Sequence, residues 1–135
     1  MTGFGRVFRL LASRLKLNTD AVFDVENNIM GLGWILWDDE GRFLAVKSTR
    51  VPGQYSVLEA EVFCVREALS WLKDTGLGDG DVETDSQLCY YALLSNSFYS
   101  AFGFLVDDVK EVASMINGVN FGFVKRSANR ASFSC

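Results

Sequence analysis

Residues 15 to 49 contain three strand-like stretches in a row, separated by polar turns too short to hold a helix, so the fold must begin with a sheet. Residues 15–23 alternate, with Leu17, Thr19, Ala21 and Phe23 on one face and Lys16, Asn18, Asp20 and Val22 on the other. Glu26, Asn27 and Asn28 suit a turn. Residues 29–37 are apolar on both faces, and Gly31 and Gly33 permit close backbone approach. Asp38-Asp39-Glu40-Gly41 reads as a hairpin turn leading into a third strand at 42–49. An antiparallel meander is the expected result.

After Pro52-Gly53 the period changes. Residues 57–73 carry two apolar stripes at helical spacing, Leu58, Val62, Val65, Leu69 and Leu72 beside Val57, Ala60, Cys64, Ala68 and Trp71. A helix so apolar is buried on most of its surface, yet Glu61 lies among these residues. Glycines 76, 78 and 80 end the helix before a short strand at 82–84. Ser86 suits the N-cap of a helix over 87–94. Leu105, Val109, Val112, Ala113 and Ile116 mark a further amphipathic helix, and 119–125 a last strand. The order is α/β with a mixed five-stranded sheet. No apolar run is long enough for a transmembrane helix, so no membrane span is expected.

Composition removes several chemistries. Without histidine there is no His-ligated zinc, no Ser-His-Asp or Cys-His nucleophile system and no imidazole proton shuttle. Cys64, Cys89 and Cys135 form no CxxC pair; the first two fall in helical patterns and read as buried free thiols in a reducing compartment. The net charge of −4 means that a polyanion would need a local basic patch, for which Arg42, Lys47, Arg50, Lys125, Arg126 and Arg130 are available. Residues 1–16 are basic and carry apolar residues at helical spacing. Both an amphipathic lead-in and an organellar transit segment fit that pattern. Nucleus or cytoplasm is the expected location, with an organelle left open.

The residue types that remain for chemistry are acids. Asp20 lies on the first strand, Glu61 on the buried helix and Asp85 at the end of the short strand. Each alone has an ordinary explanation: a solvent-facing strand acid, an ion pair with Arg66, a helix cap. Brought together, three carboxylates repel one another unless a cation neutralises them, and all-oxygen ligands suit Mg²⁺ or Mn²⁺. Other features read as structural. Trp34 and Trp37, on opposite faces of a regular strand, fit base stacking but better fit packing; Phe98, Tyr99, Phe102 and Phe104 fit a protein-binding surface but better fit the core; and Asp107, Asp108 and Glu111 line a solvated helix face.

Five motifs in order carry a family resemblance. They are Lys16-Leu17-Asn18-Thr19-Asp20-Ala21; Gly31-Leu32-Gly33-Trp34 through Asp39-Glu40-Gly41; Leu58-Glu59-Ala60-Glu61 with Arg66-Glu67-Ala68-Leu69; Val82-Glu83-Thr84-Asp85-Ser86; and Val124-Lys125-Arg126-Ser127-Ala128-Asn129-Arg130. The chain resembles the plant ribonuclease H-like, or reverse-transcriptase-like, family often found in retroelement-derived proteins. The resemblance implies a lead-in over residues 1–14 and a ribonuclease H-like domain over 15–135, with the first three strands antiparallel. It further implies metal-dependent cleavage of the RNA strand of an RNA–DNA hybrid by a monomer. Asp20, Glu61 and Asp85 would be the catalytic carboxylates binding Mg²⁺ or Mn²⁺, with Asn18, Ser86, Gln87 and Asn129 at the substrate.

The sequence also departs from the family. The fourth acid of the pattern falls on Phe133, the final helix is cut short before Cys135, and Phe123 stands where many members place a histidine. The alternative is therefore a catalytically degenerate relative that binds nucleic acid or a protein.

Overall fold

The alternating segments fold as β1 (Leu15–Asp24), β2 (Ile29–Trp37) and β3 (Phe43–Pro52), paired antiparallel in sequence order. The computed structural model describes residues 14–53, 55–94, 101–116, 118–125 and 129. β4 (Gly80–Thr84) runs parallel to β1, and β5 (Phe121–Phe123) parallel to β4, giving the sheet order β3-β2-β1-β4-β5. Three helices follow the meander: α1 (Val57–Thr75), α2 (Gln87–Leu94) and α3 (Ala101–Ser114). Among the described residues no helix is long and apolar enough to cross a membrane.

The core lies between the sheet and α1. Leu17, Met30, Leu32 and Leu36 from the strands meet Val65, Ala68, Leu69 and Leu72 from the helix, all essentially inaccessible. Each such large side chain contributes about 1.5–3 kcal/mol by leaving water, which fixes α1 against β1 and β2. Its start is fixed locally. The Ser56 hydroxyl accepts from the Glu59 N–H at 3.1 Å, and the Glu59 carboxylate accepts from the Ser56 N–H at 3.1 Å. This capping box is written in Ser56-Val57-Leu58-Glu59 and is worth about 1 kcal/mol.

β4 holds its place despite its few apolar residues. A Cβ at Gly80 would sit 3.0 Å from the Leu15 carbonyl oxygen, so glycine lets the two strands approach. Arg14 then clamps the strand, donating to Asp81 Oδ1 at 2.9 Å and to the carbonyls of Gly80 and Gly118 at 3.2 and 2.8 Å. Arg14 thus belongs to the folded body.

Several sequence expectations need correction. β3 runs on to Pro52, which an edge strand tolerates because its outward N–H has no partner to lose. β5 is only three residues long. Val57, the first residue of α1, is 63% exposed. Asp108 pairs with Arg66 across α1 and α3 instead of facing solvent alone. Phe104 is 78% exposed and is no part of the core. Phe98, Tyr99, Phe133 and Cys135 lie outside the described residues.

Candidate functional site

The parallel pairing of β1 with β4 builds the site. Thr19 lies opposite Thr84 at the end of the shared ladder, so the next residues, Asp20 and Asp85, emerge side by side. Adjacent strands are about 4.8 Å apart, which sets the separation of the two carboxylates. α1 crosses this point from the core side and adds Glu61, only 5% exposed. Carboxylate oxygens of Asp20, Glu61 and Asp85 all lie within 4.8 Å of one another. At an effective dielectric of about 20, each pair of like charges at that distance repels by roughly 3 kcal/mol.

The three acids expected to act together are thus brought together. Ser86 and Gln87 follow at the rim. Ser86 is half-buried and its hydroxyl accepts from the Cys89 N–H at 3.2 Å, capping α2; Gln87 is exposed. Asn18 and Asn129 lie deeper, 3% and 0% exposed. The Asn18 amide donates to Asn129 Oδ1 at 3.0 Å. The Asn129 amide in turn donates to the Thr19 carbonyl at 3.1 Å and to Asp85 Oδ2 at 3.2 Å. Asn129 therefore ties the end of β1 to the carboxylate that follows β4. Phe123 ends β5 with its ring 6.3 Å from that of Tyr90.

Cys64 supports the site in a way the sequence reading missed. Its single S–H is shared between the carbonyls of Asp20 and Gly33, with the sulfur 3.3 and 3.4 Å from them, holding α1 against the β1–β2 pair directly behind Asp20. Its place three residues after Glu61, on the same helix face, was the available signal. Burial, reinforced by the charge of Glu61, pushes the Cys64 thiol up. The same causes push Cys89 up to about 12. Both thiols should therefore be inert in the native protein. At a pH of about 8, alkylation read residue by residue by mass spectrometry is expected to spare Cys64 and Cys89 until urea unfolds the chain. Labelling at the unfolded rate in native buffer would contradict that burial.

A cleft of about 460 Å³ opens over Glu61 and Asp85, lined also by Ala21, Val22, Phe23, Val57 and Ser86. Its floor is anionic and its lip apolar, with Val22 61% and Phe23 40% exposed.

The family model described as reverse transcriptase-like matches residues 18–135. The chain belongs to the reverse transcriptase-like family. Among solved structures, RNase H1 from the halophilic archaeon Halobacterium salinarum NRC-1 is similar at 20% identity and a TM-score of 0.77, over 87% of this chain and 89% of that one. The N-terminal RNase H domain of a Mycobacterium tuberculosis protein is similar at 18% identity and a TM-score of 0.74, over 87% and 86%. LC11-RNase H1 in complex with an RNA/DNA hybrid is similar at 17% identity and a TM-score of 0.75, over 87% and 90%. No curated protein matches the chain. The structural likenesses establish a ribonuclease H fold for this member of the reverse transcriptase-like family.

Proposed function

We propose that this chain is a divalent-cation-dependent endonuclease that hydrolyses the RNA strand of RNA–DNA hybrids. The observation that carries the reading is the convergence of three carboxylates, from β1, α1 and the end of β4, within 4.8 Å. Support also comes from the fold shared with LC11-RNase H1, a protein seen with an RNA/DNA hybrid.

The donor set fits Mg²⁺ or Mn²⁺. All three ligating groups are carboxylates, the hard oxygen donors these ions prefer, and their mutual repulsion favours a cation among them. Asp20, Glu61 and Asp85 would hold it. When bound, such a cation lowers the pKa of a coordinated water and offsets charge on the phosphoryl oxygens.

The chain's own residues set the geometry for the exchange, in which a new P–O bond from water replaces a P–O ester bond. Glu61 is fixed by the buried helix and Asp20 by the strand pair behind it. Asn129 orients Asp85 through its amide. Ser86 and Gln87, at the rim, offer hydroxyl and amide groups to a phosphate or to a ribose 2′-OH, the group that distinguishes RNA from DNA. Buried away from the substrate, Asn129 acts on it through Asp85, and Asn18 acts through Asn129.

One sequence prepared as RNA–DNA hybrid, double-stranded RNA and double-stranded DNA tests the substrate class. Mg²⁺-dependent cuts confined to the RNA of the hybrid are expected. Cutting of the DNA duplex at a comparable rate would overturn the assignment.

A further inference from the structure

On the sheet face that carries Asp20, a trough of about 450 Å³ runs across β1, β2 and β3 and is lined by Asp20, Val22, Gly31, Gly33, Ser48 and Arg50, with strand backbone between them. The register explains its shape. Asp20 lies opposite Gly33 and Gly33 opposite Ser48; one row further along, Val22 lies opposite Gly31 and Gly31 opposite Arg50. The central strand thus contributes two glycines where side chains would otherwise stand. At Gly31 a Cβ would meet Val22 Cγ2 at 2.9 Å, so a side chain there would oblige the exposed Val22 to turn aside.

Arg50 stands at the far side of this floor, two strand spacings or roughly 10 Å across the sheet from Asp20. It differs from the other arginines among the described residues. Arg14 pairs with Asp81, Arg42 with Asp38 and Glu40, and Arg66 with Glu67 and Asp108. Arg50 makes no hydrogen bond or ion pair among the described residues, and it acts on Asp24 only through a Coulombic pull. An exposed guanidinium that makes no hydrogen bond or ion pair among the described residues, and that sits beside a groove leading to an acidic centre, is placed to receive a phosphate.

We propose that this trough seats the backbone of the strand to be cut and that Arg50 binds a phosphate neighbouring the scissile one. The inference rests on the hybrid-nuclease reading above. The glycine floor gives the sugar-phosphate chain room to lie against the sheet, and Arg50 offsets the repulsion that the three acids exert on an approaching polyanion. Because a phosphate contact carries no base information, its effect is uniform across sequences.

The test is binding of a fluorescein-labelled RNA–DNA hybrid in Ca²⁺, followed by anisotropy between about 50 and 200 mM salt, alongside cleavage kinetics in Mg²⁺. Arg50→Ala is expected to weaken binding and raise KM about tenfold, to reduce the salt slope by about 1, and to leave kcat within about twofold. Arg50→Lys should retain the slope. Lys47→Ala removes the same charge from the same strand, but by strand alternation from the opposite face, and should leave the slope unchanged. A wild-type protein that binds hybrid with a slope insensitive to Arg50→Ala would overturn the trough while sparing the nuclease reading. Equal losses in Arg50→Ala and Lys47→Ala would overturn it too, by showing a general charge effect. A folded wild type with no affinity for hybrid would remove the nuclease reading and the trough together.

Discussion

Asp85→Asn is expected to lower hybrid cleavage by about 10³-fold, since losing several kcal/mol of electrostatic stabilisation costs a factor of ten for every 1.4 kcal/mol. The same substitution should stabilise the fold when divalent cations are absent. Asp20, Glu61 and Asp85 crowd their charges within 4.8 Å, and neutralising one relieves two of the three repulsions. The gain is roughly 1–3 kcal/mol after allowance for solvent at the two half-exposed aspartates. Saturating Mg²⁺ should reverse the comparison, because the wild type gains about 2.7 kcal/mol at one hundred times the dissociation constant and the variant gains less. Thermal unfolding in EDTA and in Mg²⁺ measures both halves. A variant less stable than wild type in EDTA would mean that the three carboxylates do not repel one another as their separation implies.

Asn129→Ala should be costly for a different reason. The side chain is fully buried and links three partners, the Asn18 amide, the Thr19 carbonyl and the Asp85 carboxylate. Truncation leaves buried polar groups without that partner, a loss of about 2–3 kcal/mol in stability. Activity should fall about 10–100-fold, the usual range for a residue that orients a ligand from behind. Urea unfolding and steady-state rates under folding conditions would separate the two effects. A stable variant with unchanged rate would place the orientation of Asp85 elsewhere.

The meander and the three acids could be read from the sequence because both depend on local pattern. Alternation in residues 15–23 put Asn18 and Asp20 on one face, and they share it in the structure. The bounds of β2 were legible because the apolar run is closed by polar turns on both sides. Glu61 stood out because it interrupts an otherwise apolar helical stripe.

What escaped the sequence depends on contacts between distant residues. Nothing local to Asn129 shows that its amide reaches Asp85, 44 residues away, or Thr19, 110 residues away. Arg14 looked like the end of a basic lead-in, but it clamps β4 through Asp81, 67 residues later. Asp108 carried the spacing of a solvated helix face, and only the packing of α3 beside α1 brings Arg66 to it. The trough beside Asp20 needed the β2–β3 register, since that pairing puts Arg50 in the same row as Gly31.

The most direct measurement is cleavage of an end-labelled RNA–DNA hybrid by the wild-type chain in Mg²⁺, in Mn²⁺ and in EDTA. Cuts in the RNA strand with either ion, and none in EDTA, are the predicted result. A folded protein that leaves the RNA intact in both ions, or cuts it equally well in EDTA, would contradict the claim that Asp20, Glu61 and Asp85 form a working cation site.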